Sequence, residues 1–145
     1  MKYSIVIPCF NEEGTIKLIL ERTKNLFINN NIELILVNNG STDNSKEILS
    51  KTIRNYPHAK HIDLERNLGY GGGILKGLSH CKGEIIGWTH ADLQTDPLDC
   101  ITAFKAYEEI YRGQNTFIKG NRKNRPINDQ FFTFGMSIFE TLLLG

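Results

Sequence analysis

The sequence predicts an α/β protein: a mostly parallel, Rossmann-like sheet with helices on both faces. Short apolar runs typical of buried strands alternate with stretches in which apolar residues recur at helical spacing. Each strand-like run is followed by a polar or glycine-rich segment. In parallel sheets such segments meet at the carboxyl ends of the strands, where ligands bind. We therefore expect a ligand crevice at that edge.

The first part of the chain predicts two buried strands, each followed by a helix. YSIVIPC (3–9) and IELILVN (32–38) are short and largely apolar, as strands covered on both faces are. NGSTDNS follows the second strand and offers turn residues and caps for a helix through 48–53. After the first strand, five apolar residues recur at helical spacing: Ile16, Ile19, Leu20, Leu26 and Phe27.

The second part repeats this alternation with weaker signals. KHIDLE (60–65) predicts a strand, and the glycine-rich RNLGYGGG separates it from a helix expected at about 74–81. EIIGWTH (84–90) predicts a third strong strand, and NTFIKG (115–120) a last one. Asp96 and Pro97 have the residue types of an N-cap and first helical position. They predict a helix whose apolar residues are Phe104, Tyr107 and Ile110.

Length, charge and cysteines limit the class of protein. The 145 residues suffice for one domain, expected over 1–127, and a net charge of +1 gives no reason to expect nucleic-acid binding. Three widely spaced cysteines without a CxxC pair argue against disulfides and for a reducing compartment. The start is not a signal peptide, and no apolar run reaches the roughly 18 residues of a membrane span. We expect a cytoplasmic protein, or a peripheral one at the cytoplasmic face of the membrane.

Residues 128–145 differ in kind from the rest of the chain. The stretch DQFFTFGMSIFETLLLG (129–145) is very apolar and spaced for one face of an amphipathic helix. Two interpretations stay open: a core helix of this domain, or a helix that lies on a bilayer or packs on further segments. The ending at LLLG is expected for a truncated chain.

The segment HADLQ (90–94), directly after the third strong strand, carries the most specific chemistry. If it stays extended, His90, Asp92 and Gln94 project to one side, since alternate residues of a strand do. Asp92 supplies a hard carboxylate oxygen and Gln94 an amide oxygen, which suit Mg²⁺ or Mn²⁺. His90 is either a nitrogen ligand for Mn²⁺ or a hydrogen-bonding loop histidine.

Other polar segments are less specific. NLGYGGG lacks the glycine at 74 that GxGxxG needs and the Gly-Lys-Ser/Thr of a Walker loop, so its glycines are expected to allow close backbone approach to a ligand or to the sheet. NNGSTD (38–43) serves equally as a nucleotide contact or as a turn with a helix cap. A cluster of basic residues around position 122 predicts either a solvated loop or an anion site. It comprises Lys119, Arg122, Lys123 and Arg125.

Together the segments resemble glycosyltransferase family 2, nucleotide-sugar transferases of the GT-A fold, and within it the polyprenyl-phosphate, dolichol-phosphate-mannose-synthase-like group. The matching stretches, in family order, are IVIPCFNEE, LVNNGSTDNS, RNLGYGGGILKGL, ADLQTDP and IKGNRKNR.

The resemblance implies a GT-A fold and an inverting, metal-dependent transfer from a UDP- or GDP-sugar to a lipid phosphate or glycan acceptor. Contact with a membrane surface through the apolar stretch 129–145 and a homodimer are further expectations. Asp92 and Gln94 match the metal-binding acid and amide, with His90 beside them, and Asp92, Arg122 and Arg125 are the expected catalytic residues. The implied donor-binding residues are Pro8, Asn11, Glu12, Asn39, Asp43, Arg66, Asn67, Ala91 and Asp92.

Two departures from the family pattern support a non-catalytic alternative. Asn38 and Asn39 stand where the family usually has acids, and His90 stands where it usually has another acid. A degenerate domain that binds nucleotide without turnover is therefore an alternative. A nucleotidyltransferase is disfavoured because PCFNEE is acidic where that class has a basic, glycine-rich loop. A dehydrogenase is disfavoured because its glycine fingerprint is missing.

Overall fold

Four parallel strands form the sheet of the computed structural model, which describes residues 2–29, 31–114 and 116–120. The strands are β1 (Tyr3–Cys9), β2 (Ile32–Asn39), β3 (Ala59–Leu64) and β4 (Ile85–Trp88). Their order is β3-β2-β1-β4, so the first strand lies between the second and the fourth. The predicted α/β class with a parallel sheet is confirmed.

In the described residues three helices connect successive strands and a fourth follows β4, and together they cover both faces of the sheet. They are α1 (Ile16–Asn29), α2 (Ser45–Thr52), α3 (Gly69–Leu78) and α4 (Asp99–Ala106). A 3₁₀ turn (Ile53–Asn55) extends the second helix, and a π-helical turn (Tyr107–Tyr111) extends the fourth. Among the described residues, no helix is both long and apolar enough to cross a bilayer.

The core lies mainly on one face of the sheet, where alternate strand residues meet α1 and α4. Ile5 and Ile7 of β1 pack there with Leu34 and Leu36 of β2, all fully buried. A smaller cluster, centred on Val6, lies on the opposite face. Burial of alternate residues on both faces explains why the first two strands read as continuous apolar runs.

The helix α3 lies against the second face through small residues. A Cβ built at Gly77 would be 2.3 Å from Val6 Cγ1, and one at Gly73 would be 3.0 Å from Pro8 Cβ. The expected close approach of a glycine to the sheet is confirmed for Gly73. The helix, however, begins at Gly69 and not at Ile74 as predicted, because the glycines form its first turns instead of a separating loop.

Two further element predictions need correction. Residues 116–120 are described without strand structure, although Phe117 lies 5.6 Å from the Trp88 ring, centroid to centroid. β4 ends at Trp88, two residues earlier than predicted, and Ile86 and Trp88 are 41% and 39% exposed. The strand is therefore covered on one face only, where Phe104 packs beside Gly87.

The fourth helix begins two residues later than its sequence signal. Asp99 is its first helical residue, and the Leu98 N–H donates to Asp96 Oδ1 at 3.0 Å. The residue at the N-cap is Leu98, and no side chain caps the helix, so the predicted N-cap at Asp96 is wrong: Asp96 bonds to the turn that precedes the helix.

All three cysteines are unpaired, as predicted. Cys9 is fully buried, and burial raises the pKa of the Cys100 thiol to about 11. The Cys100 thiol therefore stays protonated at neutral pH.

Candidate functional site

The strand order gathers the polar segments at one edge of the sheet. Because β1 lies between β2 and β4, the loop after the first strand has the NNGSTD loop on one side and the HADLQ loop on the other. The segment that links β3 to α3 lies beyond NNGSTD. These four segments follow the carboxyl ends of neighbouring strands, the edge at which the sequence predicts a ligand crevice.

Asn11 joins the first loop to the second. Its side-chain Oδ1 accepts hydrogen bonds from the Thr42 N–H at 2.8 Å, the Thr42 hydroxyl at 3.2 Å and the Asp43 N–H at 3.4 Å. Asn11 itself has a positive φ of 57°, a conformation that asparagine adopts more readily than most residues. All of these contacts use the amide oxygen as an acceptor, so Asn11 connects two loops within the protein.

The Asp43 side chain bonds to both segments through its two carboxylate oxygens. Oδ1 accepts from the Ser45 N–H at 2.9 Å, and Oδ2 accepts from the Glu13 N–H at 3.2 Å. Burial by itself would raise the pKa of Asp43, but these hydrogen bonds and that of the Ser45 hydroxyl outweigh burial and lower it. The backbone of Glu12 also connects the two segments, because its N–H donates to Ser45 Oγ at 2.9 Å.

Asn39 ties β2 to the start of α3. It is 2% exposed, and its Nδ2 donates to Asn67 Oδ1 at 3.0 Å and to the Gly69 carbonyl at 2.9 Å. Its Oδ1 accepts from the Leu68 N–H at 3.0 Å. A carboxylate cannot donate to a carbonyl, so this arrangement specifically requires an amide at 39.

Asn38 is paired with an acid that no sequence motif marks. Asn38 and Asp63 are partners in the register of β2 and β3, and Asn38 Nδ2 donates to Asp63 Oδ1 at 2.8 Å. Asp63 Oδ2 lies 3.5 Å from His61 Nε2. A carboxylate is thus present beside the place where the family has one, but on the neighbouring strand. Only the strand register could have revealed it.

Arg66 and Pro8 border the crevice through backbone and packing. Gly40 has a φ of +68°, and a Cβ there would lie 2.4 Å from the Arg66 carbonyl carbon. The loop after β2 therefore contacts the Arg66 backbone directly, while the Arg66 side chain is exposed. Pro8 is buried within β1 beneath Gly73 of α3.

The HADLQ segment does not continue as a strand, so the condition on which the projection of alternate residues to one side was predicted is not met. The segment turns at Leu93, whose φ is +58°, and the Gln94 N–H donates to Asp92 Oδ1 at 3.0 Å. The Thr89 and Thr95 hydroxyls, 2.8 Å apart, close the loop. We call residues 89–95 the β4 loop.

Asp92 lies at the surface of the β4 loop between two anchored neighbours. Ala91 is 3% exposed and Leu93 packs against the main core, whereas Asp92 and Gln94 are exposed. The loop therefore presents the Asp92 carboxylate at the crevice edge on a fixed backbone.

His90 makes a contact that the sequence did not predict. Its ring stacks on the Tyr70 ring of α3, with centroids 4.6 Å apart and an interplanar angle of 9°. Tyr70 is the second residue of that helix and is 43% exposed. The stack joins the β4 loop to the element that Asn39 fixes on the other side of the crevice.

The residues present fit a divalent cation only together with a ligand that brings its own oxygens. An exposed carboxylate is a suitable ligand for Mg²⁺ or Mn²⁺, and these ions commonly keep substrate phosphates in their coordination shell. Across residues 2–29, 31–114 and 116–120, no three histidine, cysteine or acidic side chains cluster as a metal site. The candidate site is thus Asp92, with Gln94 and His90 near it in the loop.

Several predictions fall on residues that the structure does not describe. Arg122 and Arg125, the segment 128–145 and the domain boundary at 127 lie outside the described residues. Of the predicted site residues within the described part, the structure brings Asn11, Asp43, Asn39 and Asn67 into two hydrogen-bonded pairs on the β2 side of the crevice. Asp92 belongs to the separate β4 loop.

The family model described as "Glycosyl transferase family 2" matches residues 4–143. An uncharacterized glycosyltransferase of Bacillus subtilis, YkcC, is 38% identical over 130 residues, 82% of this chain and 40% of that protein. An undecaprenyl-phosphate 4-deoxy-4-formamido-L-arabinose transferase of Photorhabdus laumondii is also 38% identical, over 113 residues, 76% of this chain and 35% of that protein. The chain spans less than half the length of these relatives.

A solved structure agrees with the fold. TarS of Staphylococcus aureus, residues 1–349 in complex with UDP, superposes with a TM-score of 0.61 at 25% identity. The match covers 86% of this chain and 38% of that one.

Proposed function

The chain belongs to glycosyltransferase family 2, and from that premise we propose that it transfers a sugar, with inversion, from a nucleotide-sugar donor to a polyprenyl phosphate or a related cell-envelope glycan precursor. The observation that carries the proposal is the exposed carboxylate of Asp92 on an anchored loop at the carboxyl ends of the strands. This is the place where α/β sheets bind nucleotides.

Two comparisons support the classes of donor and acceptor. The Photorhabdus relative is a transferase to undecaprenyl phosphate, and TarS was solved with UDP. The proposed donor is therefore a UDP- or GDP-sugar. Its base and ribose would lie over the loops joined by Asn11, Asp43 and Asn39, with Arg66 beside them, and its diphosphate would extend across β1 toward Asp92.

A divalent cation, Mg²⁺ or Mn²⁺, would neutralise the charge that develops on the departing diphosphate. Asp92 and Gln94 would hold it, with His90 as a candidate nitrogen ligand. Arg122 and Arg125 would bind the acceptor phosphate, since guanidinium groups bind phosphate oxygens in pairs. That phosphate would attack the anomeric carbon from the face opposite the leaving group.

No general base is required for this acceptor. A phosphate is already anionic near neutral pH, so no proton has to be removed as the new bond forms. A sugar hydroxyl, by contrast, would need a base. A phosphate acceptor is therefore the form of the reaction that these residues support best.

The second candidate is a nucleotide-binding domain without turnover. The internal hydrogen bonds of Asn38 and Asn39 favour it, because these amides bond to the protein at positions where the family usually has acids. His90, stacked on Tyr70, likewise replaces an acid. Binding without transfer would be the signature of this candidate.

A transfer assay tests the proposal. Radiolabelled UDP- and GDP-sugars are incubated with vesicles that contain undecaprenyl phosphate, with Mg²⁺ or Mn²⁺. We expect Asp92→Asn to lower transfer on the order of 100-fold, as losses of electrostatic stabilisation at a leaving group do. Asp99→Asn, the same charge change on α4, should retain it. Nucleotide binding without transfer in the wild type would favour the non-catalytic candidate.

The acceptor assignment has its own test. Arg122→Ala and Arg125→Ala should raise the KM for the lipid phosphate by roughly tenfold or more, because each removes a charge-assisted contact. Donor binding should change little. A loss of donor binding in both variants would assign that segment to the donor instead.

A further inference from the structure

The stacked rings of Tyr70 and His90 form the one described ring–ring contact between α3 and the β4 loop. Tyr70 stands in the first turn of the helix. That turn is held to β2 by Asn39, which bonds to Leu68 and Gly69. His90 stands two residues before Asp92, in a loop closed by Thr89 and Thr95.

The stack therefore joins the helix turn that Asn39 holds to the loop that carries Asp92. The side that Asn39 fixes lies over β2, and the loop that presents Asp92 follows β4, on the other side of β1. Rings 4.6 Å apart and nearly parallel are within contact distance over their faces. An acid at 90 has no ring and could not make this contact. Relative to the family pattern, His90 therefore adds a contact that orders the β4 loop and removes a negative charge.

We infer that Tyr70 and His90 are positioning residues. Through their stacked rings they hold the β4 loop, and with it the Asp92 carboxylate, at a fixed place relative to the β2 side of the crevice. Loop residues 91 and 93 anchor the inner side of the loop in the core, and the stack anchors its outer side. The ring face of His90, and not a ring nitrogen, makes the contact. As far as it concerns the donor, the inference rests on the proposed function.

Conservative and truncating variants separate the contribution of the ring face from that of the polar atoms on the ring. Tyr70→Phe and His90→Phe keep two aromatic faces, whereas Tyr70→Ala and His90→Ala each remove one. His90→Phe also removes both ring nitrogens. It therefore distinguishes a stacking residue from a metal ligand.

The first measurement needs no ligand: amide hydrogen exchange of Gln94 by NMR on the whole chain. The Gln94 N–H is bonded within the β4 loop to Asp92, and the Leu98 N–H, bonded to Asp96, is the internal reference. Both alanine variants should accelerate exchange of Gln94 roughly three- to tenfold, the effect expected for loss of one aromatic pair. The phenylalanine variants should stay within about twofold of the wild type, and Leu98 should not change.

The double variant Tyr70→Ala/His90→Ala completes a cycle. If the two rings act together, it should exchange Gln94 no faster than either single alanine variant. Unchanged exchange in the alanine variants, or effects that multiply in the double variant, would overturn the inference. Equal acceleration by alanine and phenylalanine at either position would overturn it as well.

The second measurement is calorimetric titration of UDP and GDP with Mn²⁺. Tyr70→Phe should bind like the wild type, and Tyr70→Ala should bind several-fold more weakly. Loss of Mn²⁺-dependent binding in His90→Phe with normal Gln94 exchange would make His90 a ligand and overturn its positioning role. If the wild type binds neither nucleotide, the proposed function fails, while the exchange experiment still decides the role of the stack.

Discussion

On the β2 side of the crevice the polar side chains bond to one another, whereas on the β4 side the Asp92 carboxylate stays at the surface. The side chains of Asn11, Asn39 and Asp43 each make several hydrogen bonds to neighbouring segments on this side of the crevice. Asp92 accepts one, from Gln94. Polar residues at the ends of neighbouring strands therefore differ in role: those on the β2 side hold the loops together, whereas Asp92 is exposed, as the proposed ligand contact requires.

The largest effect should come from changing the buried amide of Asn39. Asn39→Asp removes the donor to the Gly69 carbonyl and buries a charge, so we expect a loss of about 2–4 kcal/mol in unfolding free energy. Asn11→Asp is the matched control, because the Asn11 side chain bonds to the second loop only through its oxygen. It should cost less than about 0.5 kcal/mol. Equal losses in urea denaturation of the two variants would remove the distinction between them.

A second effect should come from the contact of α3 with the sheet. Gly77→Ala forces a methyl group to within 2.3 Å of Val6 Cγ1 and should cost about 1–3 kcal/mol. Gly71 lies in the same helix with open space around its Cβ position. Gly71→Ala should therefore stabilise the protein by up to about 1 kcal/mol. Thermal denaturation of both variants checks the pair, and a stabilised Gly77→Ala would contradict this packing of α3.

A smaller and pH-dependent effect should come from Asp43. Its folded pKa is lowered, so its stabilising contribution is present above the ordinary pKa and disappears as the pH falls through the folded value. In Asp43→Asn only one of the two terminal side-chain atoms can accept a hydrogen bond. The variant should therefore lose about 1 kcal/mol of unfolding free energy at pH 7. The difference from the wild type should shrink as the pH falls from the ordinary pKa to the folded pKa. A difference that stays constant through that range would contradict the assigned hydrogen bonds.

The smallest effect on stability should come from Asp92 itself. In Asp92→Asn the side-chain oxygen can still accept from the Gln94 N–H, and the residue is exposed. We expect the unfolding free energy to change by less than about 0.5 kcal/mol. A loss above about 1 kcal/mol would mean that the carboxylate has a structural role like that of Asp43.

The sheet and its edge were predictable because the signals are local. The first two strands are buried on both faces, and a short continuous apolar run between turn residues is typical of such a strand. The rest depended on contacts between distant segments. The glycines before Ile74 read as a loop because the contact of Gly77 with Val6 is invisible in the sequence.

The geometry of the candidate site was only partly predictable for the same reason. HADLQ predicts the type of ligand, but the turn at Leu93, with its positive φ, gives no sequence signal and interrupts the extended backbone. Asp63 needs the register of β2 and β3 before it is seen beside Asn38. The stack of Tyr70 on His90 joins two elements that are separate in the sequence.

We propose that Asp92 binds a metal–diphosphate group, and calorimetric titration of UDP and GDP with and without Mn²⁺ tests this claim. We predict that one nucleotide binds the wild type and Asp99→Asn in a Mn²⁺-dependent manner. In Asp92→Asn that dependence should be lost while the protein remains folded. Binding that ignores both Mn²⁺ and Asp92, or no binding to the wild type, would contradict the claim.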